Sequence, residues 1–341
     1  MIQTEFLKEA LSTILNIESP SGYTHHVMER IAQYAKEFGY EFKRNRKGGG
    51  LILLEGQDNS RTVSLSGHVD TLGAMVRSID GSGNLIFTKV GGPILATLDG
   101  EYGTVITRDG KRFRGTFLSK SPAAHVFSDS NDRKRDEDNM YFRLDANVRS
   151  KEDTLHLGIG VGDYICIDPK LEFVGDFVKS RFLDDKASVA CILTALKHLA
   201  DNGLKPKYRT VVLISNYEEV GHGASHIPHE IDEMLAVDMG CIGKDLTCTE
   251  FDVSICAKDS SGPYDYHMVS GLIESAKKNE VPYAVDIYPY YGSDASAALR
   301  AGNDIRAALI GPGVHASHGM ERTTIPALEG TTKLILAYLL D

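Results

Sequence analysis

No stretch of the 341-residue chain approaches the roughly 18 consecutive apolar residues of a membrane-crossing helix. The N-terminal segment MIQTEFLKEALSTIL is amphipathic and carries acidic residues, which sets it apart from a secretory or transit peptide. The expected location is therefore the cytoplasm, with no membrane partner. None of the five cysteines (Cys166, Cys191, Cys241, Cys248, Cys256) forms a Cys-x-x-Cys pair, and most lie in apolar runs, as buried thiols of a reducing compartment do. A Gly-x-Ser-x-Gly elbow is missing, and no cysteine stands in a loop with an evident partner, which argues against a serine or thiol nucleophile. A glycine-rich phosphate loop is missing too. Positive charge is in deficit: 37 Lys and Arg against 47 Asp and Glu give a formal net charge of -10, which disfavours nucleic acid as a partner. Internal repeats and low-complexity segments are absent as well.

What is present suits a large core. At 42% hydrophobic and 25% charged, the chain reads as globular and long enough for two domains. Apolar residues at helical spacing predict helices over 5–17 (Phe6, Leu7, Leu11, Ile14, Leu15) and 25–38 (Val27, Ile31, Ala35, Phe38), separated by the turn ESPSG. GLILLEG and TVSLSGHVD read as strands. From about Leu72 to residue 165 the texture changes to short β-prone runs (AMVRSI, NLIFTKV, YGTVITR, FRGTFLS, DYICI) punctuated by DGSGN, DGEYG and RDGKR, which predicts a small all-β insert. Its segment SDSNDRKRDEDN is dense in both charge signs and reads as a solvated loop, with a docking surface as the alternative. After Leu171, helix and strand alternate again: a helix in DDKASVACILTALKHLA, strands in TVVLIS, MLAVDMG and FDVSICAK, a helix around 266–279 and a C-terminal helix ending TTKLILAYLL. Such α/β layers bind ligands beyond the carboxyl ends of their parallel strands.

Polar residues gather at those ends. His68 and Asp70 close SLSGHVD, Glu218 and Glu219 close VLISNYEE, Asp238 closes LAVD, His315 and His318 follow LIGPG, and Asp184 and Asp185 precede the central helix. Carboxylates and imidazoles converging in one cleft would repel and lose hydration unless a cation sat among them, and divalent metal is the common solution. Histidine with carboxylates and no cysteine suits zinc, cobalt or manganese. In an extended chain Asp70 lies on the same side as His68, so His68 is the expected ligand and the Asp70 carboxylate the group that holds its second ring nitrogen. Adjacent Glu218 and Glu219 are expected to diverge, one binding metal while the other reaches a metal-held water. Taken singly, each cluster has a plain reading: a surface or core histidine, a solvated acidic pair, aspartates favouring the start of a helix. Their recurrence at successive strand ends is what points to a site.

The ordered set SPSG, GHVDTLG, RFLDDKASV, EEVGHGA, AVDMG, KDSSGPYD, YYGSDA and ASHGMERT, which spans nearly the whole chain, resembles the M42 metallo-aminopeptidases, a family that includes glutamyl, leucyl and deblocking aminopeptidases forming tetrahedral particles. The resemblance implies an α/β fold: a mixed-sheet catalytic domain of zinc-peptidase type with helices on both faces (1–71 and 166–341), carrying a small inserted all-β barrel (72–165) used for oligomerisation. It implies two divalent ions per subunit, Zn2+ or Co2+ with Mn2+ as a further option. His68 and Asp238 would bind one ion, Glu219 and a C-terminal histidine the other, and Asp184 would bridge them. That histidine is taken as His318, whose spacing to Glu321 fits the family motif, with His315 as the alternative. Glu218 would be the general base for a metal-bridging hydroxide that attacks the scissile carbonyl of an N-terminal residue. Peptide substrates and a homo-oligomer, a dodecamer built from dimers, follow from the same resemblance. GSDA stands where the family has a loop beside the substrate cleft; Asp294 is read there as capping the following helix, with a place near the substrate's free amine as the alternative. His222 and His226 lie close to the base in sequence and are read as loop histidines or supports of the site. Two rival functions are a glycoside hydrolase using paired acids, since related sequences have carried an endoglucanase label, and a catalytically silent oligomeric scaffold.

Overall fold

The computed structural model describes residues 2–341. The chain divides into two compact units, one made of the residues up to Asp70 together with Lys170–Asp341, the other of Thr71–Pro169.

The larger unit opens with α1 (Thr4–Leu15) and α2 (His25–Glu37), whose buried residues recur every three to four positions: Leu7, Leu11, Ile14 on one, Val27, Ile31, Tyr34 on the other. Three strands follow, β1 (Glu41–Arg44), β2 (Gly50–Leu54) and β3 (Asp58–His68). The smaller unit contains β4 (Gly73–Ile79), β5 (Leu85–Val90), β6 (Tyr102–Ile106), β7 (Arg112–Ser119), β8 (Met140–Leu144), the short α3 (Lys151–His156) and β9 (Tyr164–Ile167). Its strands close into a barrel in the order β4-β5-β8-β7-β6-β9. Phe117 fills the barrel edge-on between Phe87 (centroids 5.2 Å apart) and Phe142 (4.8 Å). The charged segment before β8 is braced by the pairs Arg133–Asp129 (2.8 Å) and Arg135–Asp99 (2.9 Å).

The chain then supplies β10 (Glu172–Val174), β11 (Phe177–Ser180), α4 (Leu183–Asp201), β12 (Tyr208–Ser215), β13 (Ile231–Val237), β14 (Gly240–Cys241), β15 (Val253–Asp259), β16 (Gly262–Pro263), α5 (Tyr266–Lys278), β17 (Tyr283–Ile287), α6 (Asp294–Arg300), β18 (Arg306–Val314), β19 (Glu321–Thr324) and α7 (Ile325–Leu340). A ten-stranded sheet runs β1-β2-β12-β3-β13-β18-β15-β16, with β14 on β18 and β17 on β15. The sheet is mixed: β12, β3, β13 and β18 are parallel neighbours, whereas β2 pairs antiparallel with β12 and β15 with β18.

Register decides which side chains face which layer. Gly50, Ile214 and Gly67 lie side by side across β2, β12 and β3. A Cβ on Gly67 would touch Val189 and Ile192 of α4, and one on Gly50 would strike Met28 of α2, so these helices share one face. Ser215 and His68, the next pair, therefore point to the opposite face, where α6 packs. Helices cover both sides, as the resemblance implied. Among the described residues no helix is long and apolar enough to cross a membrane.

Candidate active site

The carboxyl ends of β3, β12, β13 and β18 lie together because those strands are parallel neighbours, and each delivers polar residues to the same rim. β3 ends in His68, which is buried. Its Nε2 lies 3.2 Å from Asp184 Oδ1 and 3.7 Å from Glu218 Oε2. Its Nδ1 lies 2.9 Å from the backbone carbonyl of Asp70, whereas the nearest Asp70 carboxylate oxygen stands at 3.7 Å. Asp70 thus orients the imidazole through its main chain, and the expectation that its carboxylate does so is corrected. That carboxylate instead accepts the Ser21 hydroxyl (2.5 Å) and the backbone N–H groups of Glu218 (3.2 Å) and Glu219 (3.3 Å). The side chain makes better contact with amides 148 and 149 residues away in sequence than with the ring two residues before it.

The paired glutamates do not sit on β12 itself. Tyr217 takes a left-handed conformation (φ 74°) past the strand end, and Glu218–Val220 form a single 3-10 turn. On that turn the two side chains diverge: Glu218 reaches the His68 ring, while Glu219 Oε2 lies 3.5 Å from His318 Nε2. Asp184 stands between the histidines, with Oδ2 3.6 Å from His318 Nε2 and accepting the Ser317 hydroxyl at 3.1 Å. Asp184 and Asp185 have non-helical backbone angles, so the regular part of α4 starts after them and they are not ordinary helix-start aspartates. Asp238 follows β13 directly; its own N–H donates to Ile310 of β18.

Two residues outside the expected set complete the cluster. Asp185 accepts the His68 N–H (3.0 Å). Glu321 accepts the N–H of His318 with one oxygen and that of Asp184 with the other, both at 3.0 Å. The doubled aspartate in DDK and the three-residue spacing from His318 to Glu321 were the available signals. His315 is exposed and its backbone pairs with Arg322, away from these contacts. His222 and His226 are exposed, the former stacked on Tyr217 (5.0 Å). Capping of α6 falls to Ser293, whose hydroxyl accepts from Ser296; Asp294 is the buried first residue of the helix, and the cap reading for it is corrected.

Among the described residues, donor atoms of His68, Asp184 and Glu219 lie within 4.8 Å of one another, and so do those of His68, Asp185 and Asp238. The electrostatics of both groups call for positive charge. Burial, followed by the proximity of Asp184, drives the Glu219 carboxyl well above the usual range and Asp238 up to about 7. Burial and the Asp184 charge likewise bring Glu321 up to about 8. Burial, opposed only in part by His68, raises Glu218 as well. Asp184 goes the other way: burial opposes its charge, but the His318 and His68 rings hold it ionised. One oxygen each of Asp185 and Glu219 is buried without any hydrogen-bond partner. Oxygen and imidazole donors, no sulfur and unpartnered buried carboxylate oxygens fit divalent cations.

A family profile described as M42 glutamyl aminopeptidase matches residues 48–334. Over 332 residues the chain is 46% identical to YhfE of Bacillus subtilis (strain 168), a candidate aminopeptidase, covering 97% of this chain and 96% of that one. In fold it resembles the TET aminopeptidase of the marine sediment archaeon Thaumarchaeota archaeon SCGC AB-539-E09 (TM-score 0.89, 20% identity, 98% of this chain and 96% of that one). It also resembles the TET1 peptidase of Pyrococcus horikoshii, which can assemble into a tetrahedron or a large octahedral shell (TM-score 0.85, 24% identity, 98% and 99%). With a profile match over most of its length and a near-full-length relative of this similarity, the chain belongs to the M42 glutamyl aminopeptidase family.

Proposed function

We propose that this aminopeptidase is a two-metal enzyme in which Glu218 moves the proton. His68 and Asp238 would hold one divalent ion and Glu219 and His318 the other, with Asp184 shared between them. When bound, such ions bring the pKa of a coordinated water from ~16 toward ~7 and stabilise negative charge on a carbonyl oxygen. Zn2+ or Co2+ suits the donors, and Mn2+ shares them. The observation that carries the reading is the pair of buried His-carboxylate groups meeting at His68, with Glu218 beside that ring and outside both groups.

Glu218 has what the task needs. Its carboxylate is nearly buried, and burial together with Asp238 and Asp294 raises its proton affinity, while its backbone is fixed by the Asp70 carboxylate. It would accept a proton at a carboxylate oxygen from the attacking water and pass it to the amine nitrogen released by peptide cleavage. Glu218→Gln keeps the shape and removes the base. The variant is expected to retain two ions per chain by elemental analysis and to lose ~10²- to 10⁴-fold in turnover on aminoacyl anilides. Near-normal turnover would remove Glu218 from the role. Stripping the protein and restoring zinc, cobalt or manganese against a panel of anilides and short peptides tests metal and N-terminal preference together.

The barrel unit is the proposed contact between copies in a homo-oligomer, supported by the assembly of the similar TET1 peptidase. A single-chain mass by light scattering would overturn that part. A cytoplasmic site of action is proposed with it.

A further inference from the structure

Against the loop that follows the proposed base lies a cation that the metal and base assignments leave without a role. Lys47 occupies the tip of the β1–β2 hairpin, one residue before the segment matched by the family profile. The tip is stiff: the Asn45 N–H donates to Gly49 O (3.0 Å), the Gly48 N–H to Asn45 O (3.1 Å) and the Gly49 N–H to Asn45 Oδ1 (2.9 Å). It is also fastened to the residue that follows β12, because Asn216 Nδ2 donates to Lys47 O (3.1 Å) while Asn216 Oδ1 accepts from the Gly22 N–H (3.2 Å). From this mount the Lys47 ammonium donates to the carbonyls of His222 and Gly223 (the latter at 3.0 Å) and to Ser225 Oγ (3.0 Å). All three of its protons are used.

Those acceptors belong to the loop that immediately follows the Glu218–Val220 turn. The loop packs tightly against the backbone of the base: a Cβ on Gly223 would lie 2.3 Å from Asp294 Oδ1, 2.9 Å from Ser215 Oγ and 3.1 Å from the Cα of Glu218. Among the described residues its internal ties are the Gly221 N–H to Glu218 O (2.7 Å), the His222 N–H to Tyr217 O (3.1 Å) and the Ser225 hydroxyl to His222 O (3.0 Å) with a long 3.5 Å amide contact beside it. Tyr217 and Gly221, both at positive φ, bracket the turn, so no strand ladder holds it. Charged groups therefore hold it from three sides: the Asp70 carboxylate on the amides of Glu218 and Glu219, the Asp294 carboxylate on the amide of Ala224, and the Lys47 ammonium, the one cation among them, on the carbonyls of 222 and 223.

We propose that Lys47 is a positioning residue for peptide hydrolysis, holding loop 221–225 against Glu218 so that the carboxylate meets the proton it must move. The inference rests on the reading of Glu218 as the base. Lys47 touches no candidate metal ligand directly, so its removal should act on kcat and leave metal content alone. Misplacement of a catalytic group by about 1 Å costs up to ~10²-fold, so Lys47→Met is expected to lower kcat by ~10- to 100-fold with KM nearly unchanged. Two ions per chain should remain. Amide hydrogen exchange should accelerate in 221–225 and stay unchanged in β3 and β13. Ethylammonium added to Lys47→Ala should restore part of kcat, which a general loss of stability would not allow. Ser225→Ala, which removes a single acceptor, should shift exchange in the same direction by less, and it carries the test if Lys47→Met does not fold. A kcat within about twofold of the parent, unchanged exchange in the loop, or loss of metal in step with kcat would each overturn the proposal. Glu218→Gln assayed alongside separates the two readings: an active Glu218→Gln removes the base, whereas an inactive one beside a fully active Lys47→Met removes only the role of Lys47.

Discussion

At the scale of single residues, the two C-terminal histidines show how much three positions can matter. His318 has φ 64° and is held there by its own N–H on Glu321, which places its ring between Asp184 and Glu219. A left-handed conformation at a non-glycine residue costs of order 1–3 kcal/mol and persists only where the surroundings enforce it. His315 instead continues the strand-like backbone with Arg322 and stays exposed. His318→Ala is therefore expected to reduce metal content from two ions toward one per chain, while His315→Ala leaves it unchanged; equal loss in both, by elemental analysis, would contradict the assignment of His318 as ligand. That these carboxylates and imidazoles would come together was legible in the sequence because such groups have no packing reason to close apolar strands; that they bind metal remains the proposal. Asp185 and Glu321 were not legible as supports, because each acts on backbone amides (of His68, and of His318 with Asp184), and spacing along a chain does not reveal which amide a carboxylate will meet. The same limit explains Asp70, whose alternation with His68 suggested a ring contact that its carboxylate gives up for the amides of Glu218 and Glu219.

Among the elements, periodicity served best where one face is buried. α1 and α2 fall where their apolar spacing places them, and the β-prone runs between Leu72 and residue 165 become barrel strands. The barrel's order, β4-β5-β8-β7-β6-β9, was beyond reach, since it depends on pairings between runs that look alike. β1 was missed for a different reason: at the sheet edge its EFKR is largely exposed and carries no apolar signature. The pairing of β13 with β18 imposes a steric condition that no pattern shows. Gly311 passes so close to Asp238 that a Cβ would stand 1.6 Å from the Asp238 carbonyl oxygen. Gly311→Ala must push the two strand ends apart. The expected cost is about 3 kcal/mol in a denaturant titration, with metal affinity falling as Asp238 moves. Stability and metal content close to the parent would show that β18 can give way there.

For the whole molecule, crowded buried acid is the dominant feature, and it makes metal and pH interdependent. Without cations, Asp238 near 7 and Glu321 near 8 keep protons in the folded chain that ordinary carboxyls at ~4 lose on unfolding. More protons are then bound by the folded state between those values, so the stability of the stripped protein falls as pH rises from about 4 to about 8. His68, held well above its usual range by Asp184 and Glu218 against the effect of burial, works in the same direction. Asp184, already ionised, adds nothing over that window. Metal binding opposes the trend, because deprotonated ligands are the ones that coordinate. The difference in Tm between loaded and stripped protein is expected to be larger at pH 8 than at pH 5. A difference that shrinks with pH would mean that cations are not what balances these acids.

The side-by-side placement of Gly67 with Ile214 and of His68 with Ser215 has a practical corollary. A slip of one position between β3 and β12 would turn the imidazole into the layer occupied by α4 and present a glycine to the rim instead. Such a misthreaded chain would keep its content of helix and strand, yet on the proposed ligand set it would lack His68 and with it the capacity to take up ions. Stoichiometric loading of a purified batch is thus a quality control on strand alignment, sensitive to an error that circular dichroism would pass.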